Sequence, residues 1–113
     1  MFVGCSDTAP DVEKHDNGKK KAEGYRLEDG TKVGRWTYWD EKGQKRSEGE
    51  HKNGELEGLW TFWHANGKKR IEGEFKSGQH EGLWTYWDED GSIKHDLSGI
   101  YKANKKVAPL PKK

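Results

Sequence analysis

The chain has one cysteine, one methionine and three prolines among 113 residues, and each scarcity excludes something. A single cysteine rules out an internal disulfide and any cysteine-based zinc cage. Leu, Ile, Val and Phe together number 16, below the roughly 20% level of ordinary globular chains, so a conventional two-layer aliphatic core is excluded. No run of even ten consecutive apolar residues occurs, which removes a membrane-spanning helix. The charges nearly cancel, 21 basic against 20 acidic for a net +1, so the basic excess of a nucleic-acid binder is missing.

What the chain does have is rings: six Trp, four Tyr and three Phe. Disordered chains are poor in aromatics, so this composition points to order built on large side chains. The rings are also periodic, and periodicity of this kind marks a repeat architecture. Gly34-Arg35-Trp36-Thr37-Tyr38-Trp39, Gly58-Leu59-Trp60-Thr61-Phe62-Trp63 and Gly82-Leu83-Trp84-Thr85-Tyr86-Trp87 follow one another at intervals of 24 residues and hold all six tryptophans. Between them, Arg46-Ser47-Glu48-Gly49-Glu50 and Arg70-Ile71-Glu72-Gly73-Glu74 are again 24 apart. Partial copies flank these, so the repeat region runs over residues 17–102.

Asn17-Gly18, Asp29-Gly30, Lys42-Gly43, Asn53-Gly54, Asn66-Gly67, Ser77-Gly78 and Asp90-Gly91 place a turn every 11 to 13 residues. Asn-Gly and Asp-Gly supply the positive φ that tight hairpin turns need. The prolines Pro10, Pro109 and Pro111 lie outside the repeats, and no segment shows a helical apolar period. The expectation is an all-β fold: an elongated, single-layer antiparallel meander of stacked hairpins with about seven strands.

Two-residue turns fix a register. They set Trp36 opposite Gly49, Trp60 opposite Gly73 and, with a longer loop around Asp90-Gly91, Trp84 opposite Gly99. They also set Gly49 beside Gly58 and Gly73 beside Gly82, with Trp39 opposite Arg46 and Trp63 opposite Arg70. Each of Trp36, Trp60 and Trp84 then has bare backbone to lie on, a physical reason for Gly49, Gly73 and Gly99 inside strands. In this register Trp60 covers Gly73. Strand alternation puts Trp36, Tyr38, Trp60, Phe62, Ile71, Phe75, Trp84, Tyr86 and Tyr101 on one structural face. Trp39, Trp63 and Trp87 fall on the other face with the threonines, and with Arg46 and Arg70 as cation–π partners. These five form the candidate interaction surface.

The strings Glu48-Gly49-Glu50-His51-Lys52-Asn53-Gly54-Glu55-Leu56-Glu57-Gly58-Leu59-Trp60 and Glu72-Gly73-Glu74-Phe75-Lys76-Ser77-Gly78-Gln79-His80-Glu81-Gly82-Leu83-Trp84 resemble the bacterial variant of the MORN repeat. The resemblance covers about three quarters of the chain. It implies a twisted sheet of stacked hairpins and a non-catalytic module that binds proteins or lipids. It also implies an alternative role, since many bacterial members carry the label of antitoxins that neutralise a partner toxin by direct binding. Two departures stand out: His51 replaces the usual aromatic, and the first copy has one extra residue before Gly34.

Met1-Phe2-Val3-Gly4-Cys5-Ser6 is similar to the end of a bacterial lipoprotein signal. It makes Cys5 the expected lipidation site and membrane anchor, with residues 1–16 as a flexible tether and the bacterial envelope as the location. The alternative is a cytoplasmic protein with an inert exposed thiol. Residues 103–113, rich in lysine, read as a disordered basic tail.

No catalytic chemistry is expected. The five histidines are scattered without ligand spacing, and the many carboxylates have no pocket to perturb them in a single-layer sheet. No catalytic, cofactor-binding or metal-ligating residues are assigned, and no cofactor. The functional expectation is an interaction scaffold, tethered to an envelope, with a protein partner and no nucleic acid.

Overall fold

The structure, a computed structural model, describes residues 10–111. It is one open antiparallel sheet of nine strands in strict chain order, without a helix among the described residues. The strands are β1 (Asp11–Lys14), β2 (Lys20–Arg26), β3 (Lys32–Trp39), β4 (Lys45–Lys52) and β5 (Glu55–Trp63). They continue as β6 (Lys69–Lys76), β7 (Gln79–Tyr86), β8 (Gly99–Lys102) and β9 (Lys105–Pro109). The sheet is 46 Å long and 20 Å thick.

Two strands more than expected extend the sheet, one at each end. Part of the expected tether is β1, which pairs with β2 and is held by Arg26, whose guanidinium meets Glu13 and lies 3.5 Å from Asp11. The Glu13 carboxyl is held below its usual range by the hydrogen bond from Arg26. Part of the expected disordered tail is β9, paired with β8 through the turn Ala103-Asn104. Both turn residues take positive φ, 49° and 74°, and asparagine tolerates that region. The Asn104 Oδ1 accepts the His80 amide N–H at 2.7 Å, so the turn is tied back onto β7. No glycine marks this turn, which is why the sequence read as a tail.

Two kinds of turn alternate along the sheet. Asn53-Gly54 and Ser77-Gly78 have positive φ at both residues and join their strands as two-residue turns of type I′. At the opposite end, His64 and Lys68 flank a three-residue loop closed by a 2.8 Å amide bond, and only its glycine, Gly67, has positive φ. The loops at His15–Lys19, Asp40–Gln44 and Asp88–Ser92 repeat this geometry. Each such loop has one residue more than a two-residue turn, so the pairing slips at the strand ends. Trp39 therefore faces Lys45, and Trp63 faces Lys69, where Arg46 and Arg70 were expected. The loop between Leu27 and Thr31 is also of this kind, and it accounts for the extra residue before Gly34.

A second irregularity decides where the rings go. Glu50 pairs with Glu57, but Glu48 pairs with Thr61, so Gly58 and Leu59 bulge from β5 on its β4 side. The same step occurs between β6 and β7, where Glu74 pairs with Glu81 and Gly73 with Trp84. Gly34, Gly58 and Gly82 have φ of 70°, 73° and 77°, the left-handed region that only glycine enters freely. The bulge carries the following tryptophan back over the preceding strand. The expected pairs Gly49–Gly58 and Gly73–Gly82 therefore do not form. Instead, a Cβ at Gly24, Gly49 or Gly73 would fall inside the ring of Trp36, Trp60 or Trp84 respectively. Trp60 does face Gly73 across the β5–β6 pair, yet the ring lying on Gly73 is Trp84. Gly99 does sit opposite Trp84, but its bare Cα serves the β9 strand, since a Cβ there would strike the Ala108 carbonyl.

The indoles are also tethered by hydrogen bonds. Trp36, Trp60 and Trp84 donate from Nε1 to the carbonyls of Tyr25, Glu50 and Glu74 at 2.9–3.0 Å. Their exposures are 0%, 2% and 1%. Each buried indole contributes roughly 4–6 kcal/mol of transfer free energy as an upper bound. The expected aromatic face is observed, with Tyr38, Leu56, Phe62, Ile71, Tyr86 and Tyr101 packed around Trp60, Phe75 and Trp84.

This geometry determines how three substitutions act. Gly73→Val should displace Trp84, and Gly49→Val should displace Trp60, each lowering stability by at least about 1–3 kcal/mol. Val at Ser47, which pairs with Tyr38 on the aromatic face, should be neutral or stabilising. Thermal melts, with ring-current shifts to report which indole moved, check all three.

Candidate interaction surface

The face opposite the indoles presents three rows across the strands. In the middle row, Glu23 pairs with Thr37, Thr37 with Glu48, Glu48 with Thr61, Thr61 with Glu72 and Glu72 with Thr85. Threonine is a good strand former, and opposed polar pairs stabilise a sheet. The hydroxyls of Thr37 and Thr61 donate to Glu48 and Glu72 at 3.0 Å. Lys20, Lys45 and Lys69 pair with Glu23, Glu48 and Glu72 three residues on, at 2.8, 3.3 and 3.1 Å. Burial works to raise the Glu48 carboxyl, but the Thr37 hydroxyl with Lys45 and Arg35 outweighs it and holds the group below its usual range.

The second row holds Trp39, Trp63 and Trp87, half-buried at the ends of β3 and β5 and just past β7. The structure brings these three into one row on alternate strands. It does not place Arg46 and Arg70 over them. Lysines fill that role, with Lys20 5.7 Å from the Trp39 ring centroid and Lys45 5.6 Å from that of Trp63. The register slip sets Lys45 and Lys69 opposite Trp39 and Trp63. The lysine over each ring, however, comes from the preceding strand, Lys20 of β2 over Trp39 and Lys45 of β4 over Trp63. Arg70 is exposed and lies 6.0 Å from the centroid of the Phe62 ring.

Arg46 has a different task. Its Nε donates to the Trp63 carbonyl at 3.1 Å, and its guanidinium lies 3.6 Å from Asp40. At the equivalent places one loop before and after, His15 Nε2 meets the Trp39 carbonyl at 3.0 Å and His64 Nε2 the Trp87 carbonyl at 2.9 Å. A carbonyl only accepts, so both rings present Nε2–H. Each row tryptophan is thus clamped by the preceding loop. Asp40 occupies the position that His15 and His64 hold in their loops, and its carboxylate, kept below its usual range by the Gln44 and Lys42 amide N–H groups, has no proton to donate. Arg46 supplies the donor instead.

The third row is the one that sequence reasoning missed. Arg35, Leu59 and Leu83 follow the three bulge glycines, and Leu59 and Leu83 are 55% and 50% exposed. The signal was present in the Gly-x-Trp spacing, but only a bulge reveals that x stands out from the sheet.

Two further histidines enter the aromatic face. His51 packs edge-on against Trp60 at 5.2 Å and is hydrogen-bonded with the Tyr38 hydroxyl at 3.1 Å. His80 lies 4.0 Å from the Trp84 ring. These are packing positions, and no group of three potential metal ligands forms among the described residues. Cys5 lies outside the described residues.

Residues 32–53 and 56–77 match the family model of the MORN repeat variant. Each match is one hairpin, β3–β4 and then β5–β6, together with its tight-turn asparagine or the equivalent serine. The chain matches no curated protein and no solved structure. MORN repeats are non-catalytic modules that bind proteins or membranes. The β7–β8 hairpin continues the structural pattern beyond the two matched segments, with Trp84 on Gly73 and Trp87 clamped by His64.

Two outcomes are expected of these hairpins. Arg46→Ala should cost about 1–2 kcal/mol, since it strips the Trp63 carbonyl of its donor and Asp40 of its cation, whereas Arg70→Ala should stay within about 0.5 kcal/mol. Chemical denaturation distinguishes them. The second concerns pH. Burial first, and Lys32 second, lower the His51 pKa below its ordinary value. A base lowered on folding gives its full stability above the unfolded-state value, about 6.5, and loses it as protonation sets in below. His51→Phe, which copies Phe75 of the next repeat, should therefore raise stability and flatten its decline between about pH 7 and 5. Melts across that range check it.

Proposed function

We propose that this protein is a non-catalytic interaction scaffold that offers its threonine face to a protein partner. We further propose that a lipidated Cys5 tethers it to a bacterial envelope. The observation that carries the first part is the division of labour between faces. The aromatic face is consumed by packing, its three indoles shut against glycine backbone and hydrogen-bonded to the main chain. The opposite face repeats one pattern of threonine, paired charge, half-buried tryptophan and protruding leucine across successive hairpins. Flat arrays with aromatic and aliphatic residues amid polar ones are what protein interfaces use. The sheet lacks the enclosed, desolvated site that acid–base or nucleophilic chemistry needs. Support for the tether is the sequence around Cys5, where small and apolar residues precede the only thiol.

A photo-crosslinking side chain at Leu83 should capture a discrete partner from an envelope fraction, and the same group at Phe62 on the aromatic face should not. Capture from neither position, or from both alike, overturns the scaffold reading. Incorporation of labelled palmitate into the protein expressed from its own gene, and its loss in Cys5→Ser, tests the tether; an unlabelled wild type removes it.

A further inference from the structure

The geometry points to the groove along β6, between Leu59 and Leu83, as a docking site for an extended peptide segment that carries basic side chains beside apolar ones. This inference rests on the scaffold reading and names the partner's chemistry. Leu59 and Leu83 stand on the two strands flanking β6, so their backbones are about 9–10 Å apart across it. Between them lies an open cavity of 340 Å³ floored by Glu72, Gly73 and Glu74, with Thr85 at its side. Gly73 gives this floor bare backbone only, since a Cβ there would point to the other side, into the Trp84 ring of the aromatic face.

The walls are apolar, the floor carries two carboxylates, and none of the lining residues is basic. Glu72 is neutralised by Lys69 at 3.1 Å. Glu74 is not: its partner across the strand pair is Glu81, and neither carboxylate has a cation within 4.0 Å among the described residues. Like charges directly opposite each other in a sheet repel. The arrangement recurs 24 residues earlier, where Glu50 faces Glu57 across the β4–β5 pair. A lysine or arginine laid beside Glu74 and Glu81 relieves that repulsion and gains charge-assisted hydrogen bonds. Neighbouring aliphatic groups on the same segment cover Leu59 and Leu83, which are otherwise half in water. An acidic segment or an anionic lipid surface meets the same carboxylates as repulsion. The groove therefore selects by sign of charge as well as by apolar contact.

The test uses the full chain and two short synthetic peptides with the same leucines, one interspersed with lysine and the other with glutamate. Binding is read from amide chemical-shift changes and calorimetry. The lysine peptide should bind saturably, with shifts centred on β6, and the glutamate peptide should not. Glu74→Gln with Glu81→Gln, and separately Leu59→Ser with Leu83→Ser, should each weaken the lysine peptide about tenfold or more, with melting temperatures unchanged to show intact folds. Raising salt from about 0.05 to 0.5 M should also weaken it. Equal binding of both peptides, binding indifferent to either double variant, or no binding overturns the assignment. So does binding to anionic vesicles that Leu59→Ser with Leu83→Ser abolishes, or self-association, seen by sedimentation, that the same variant reverses. If crosslinking through Leu83 still captures an envelope protein while the lysine peptide fails, the scaffold reading stands and the basic-peptide assignment alone falls.

Discussion

An indole lying flat on a glycine of the neighbouring strand is the contact on which this molecule depends. A single-layer sheet has no second layer to bury its apolar face, and this chain has too few aliphatic residues to build one. Trp36, Trp60 and Trp84 supply a substitute by covering Gly24, Gly49 and Gly73, so that backbone, which every strand has, serves as the other half of the core. The cost of glycine inside a strand, up to about 1 kcal/mol, is small against the several kcal/mol of a buried indole. Surface ion pairs such as Lys45–Glu48 are worth about 1 kcal/mol at most and do not compete. Without the rings, the sheet would be a set of hairpins that are marginal alone.

The stack is fastened to itself at both ends, and each fastening skips a strand. At the tight-turn end, the second turn residue donates its amide to a carbonyl of the preceding hairpin: Gly54 to Lys32, Gly78 to Leu56 and Asn104 to His80, at 3.0–3.1 Å. At the loop end, His15, Arg46 and His64 reach forward to the carbonyls of Trp39, Trp63 and Trp87. Asn17 and Asn66 add amide bonds to Glu41 and Glu89 in the next loop but one. Each hairpin is therefore coupled to its neighbours alone, the nearest-neighbour logic of repeat proteins. The position that requires a donor is fixed, while the residue that provides it changes from histidine to arginine when aspartate takes the histidine's place.

The face assignments and the meander were legible because they depend on parity. Alternation survives any even slip, and the two-residue bulges at Gly34, Gly58 and Gly82 are even slips, so Tyr38, Phe62 and Tyr86 stayed on the expected face. The partner of each ring was not legible, because a bulge moves a tryptophan onto the strand before it without leaving a mark in composition. The odd slip at the loops escaped for a related reason. Asn-Gly serves both a two-residue turn and a three-residue loop, and only φ at the asparagine separates them; Asn53 is left-handed and Asn66 is not. The extra residue in the Asp40–Gln44 loop moved Arg46 off Trp39, and Arg46 serves the Trp63 clamp instead. The one in the His64–Lys68 loop moved Arg70 off Trp63, which dissolved the expected arginine–tryptophan pairs. The β9 strand was hidden because Ala103-Asn104 performs a glycine's task without a glycine.

Within the recurring Gly-x-Trp triplet, stability constrains two positions and leaves one open. The glycine must adopt positive φ, and the tryptophan must reach the glycine of the strand before. The middle residue is turned by alternation to the opposite face and pushed outward by the bulge, so the packing of the indoles is indifferent to it. It is arginine at 35 and leucine at 59 and 83, two chemistries on one scaffold position. A fold held by such a triplet can therefore change what its exposed face contacts without disturbing what holds it together. The same separation turns Leu59 and Leu83 to the opposite face beside Glu74 of β6, where burial gives no reason for either leucine.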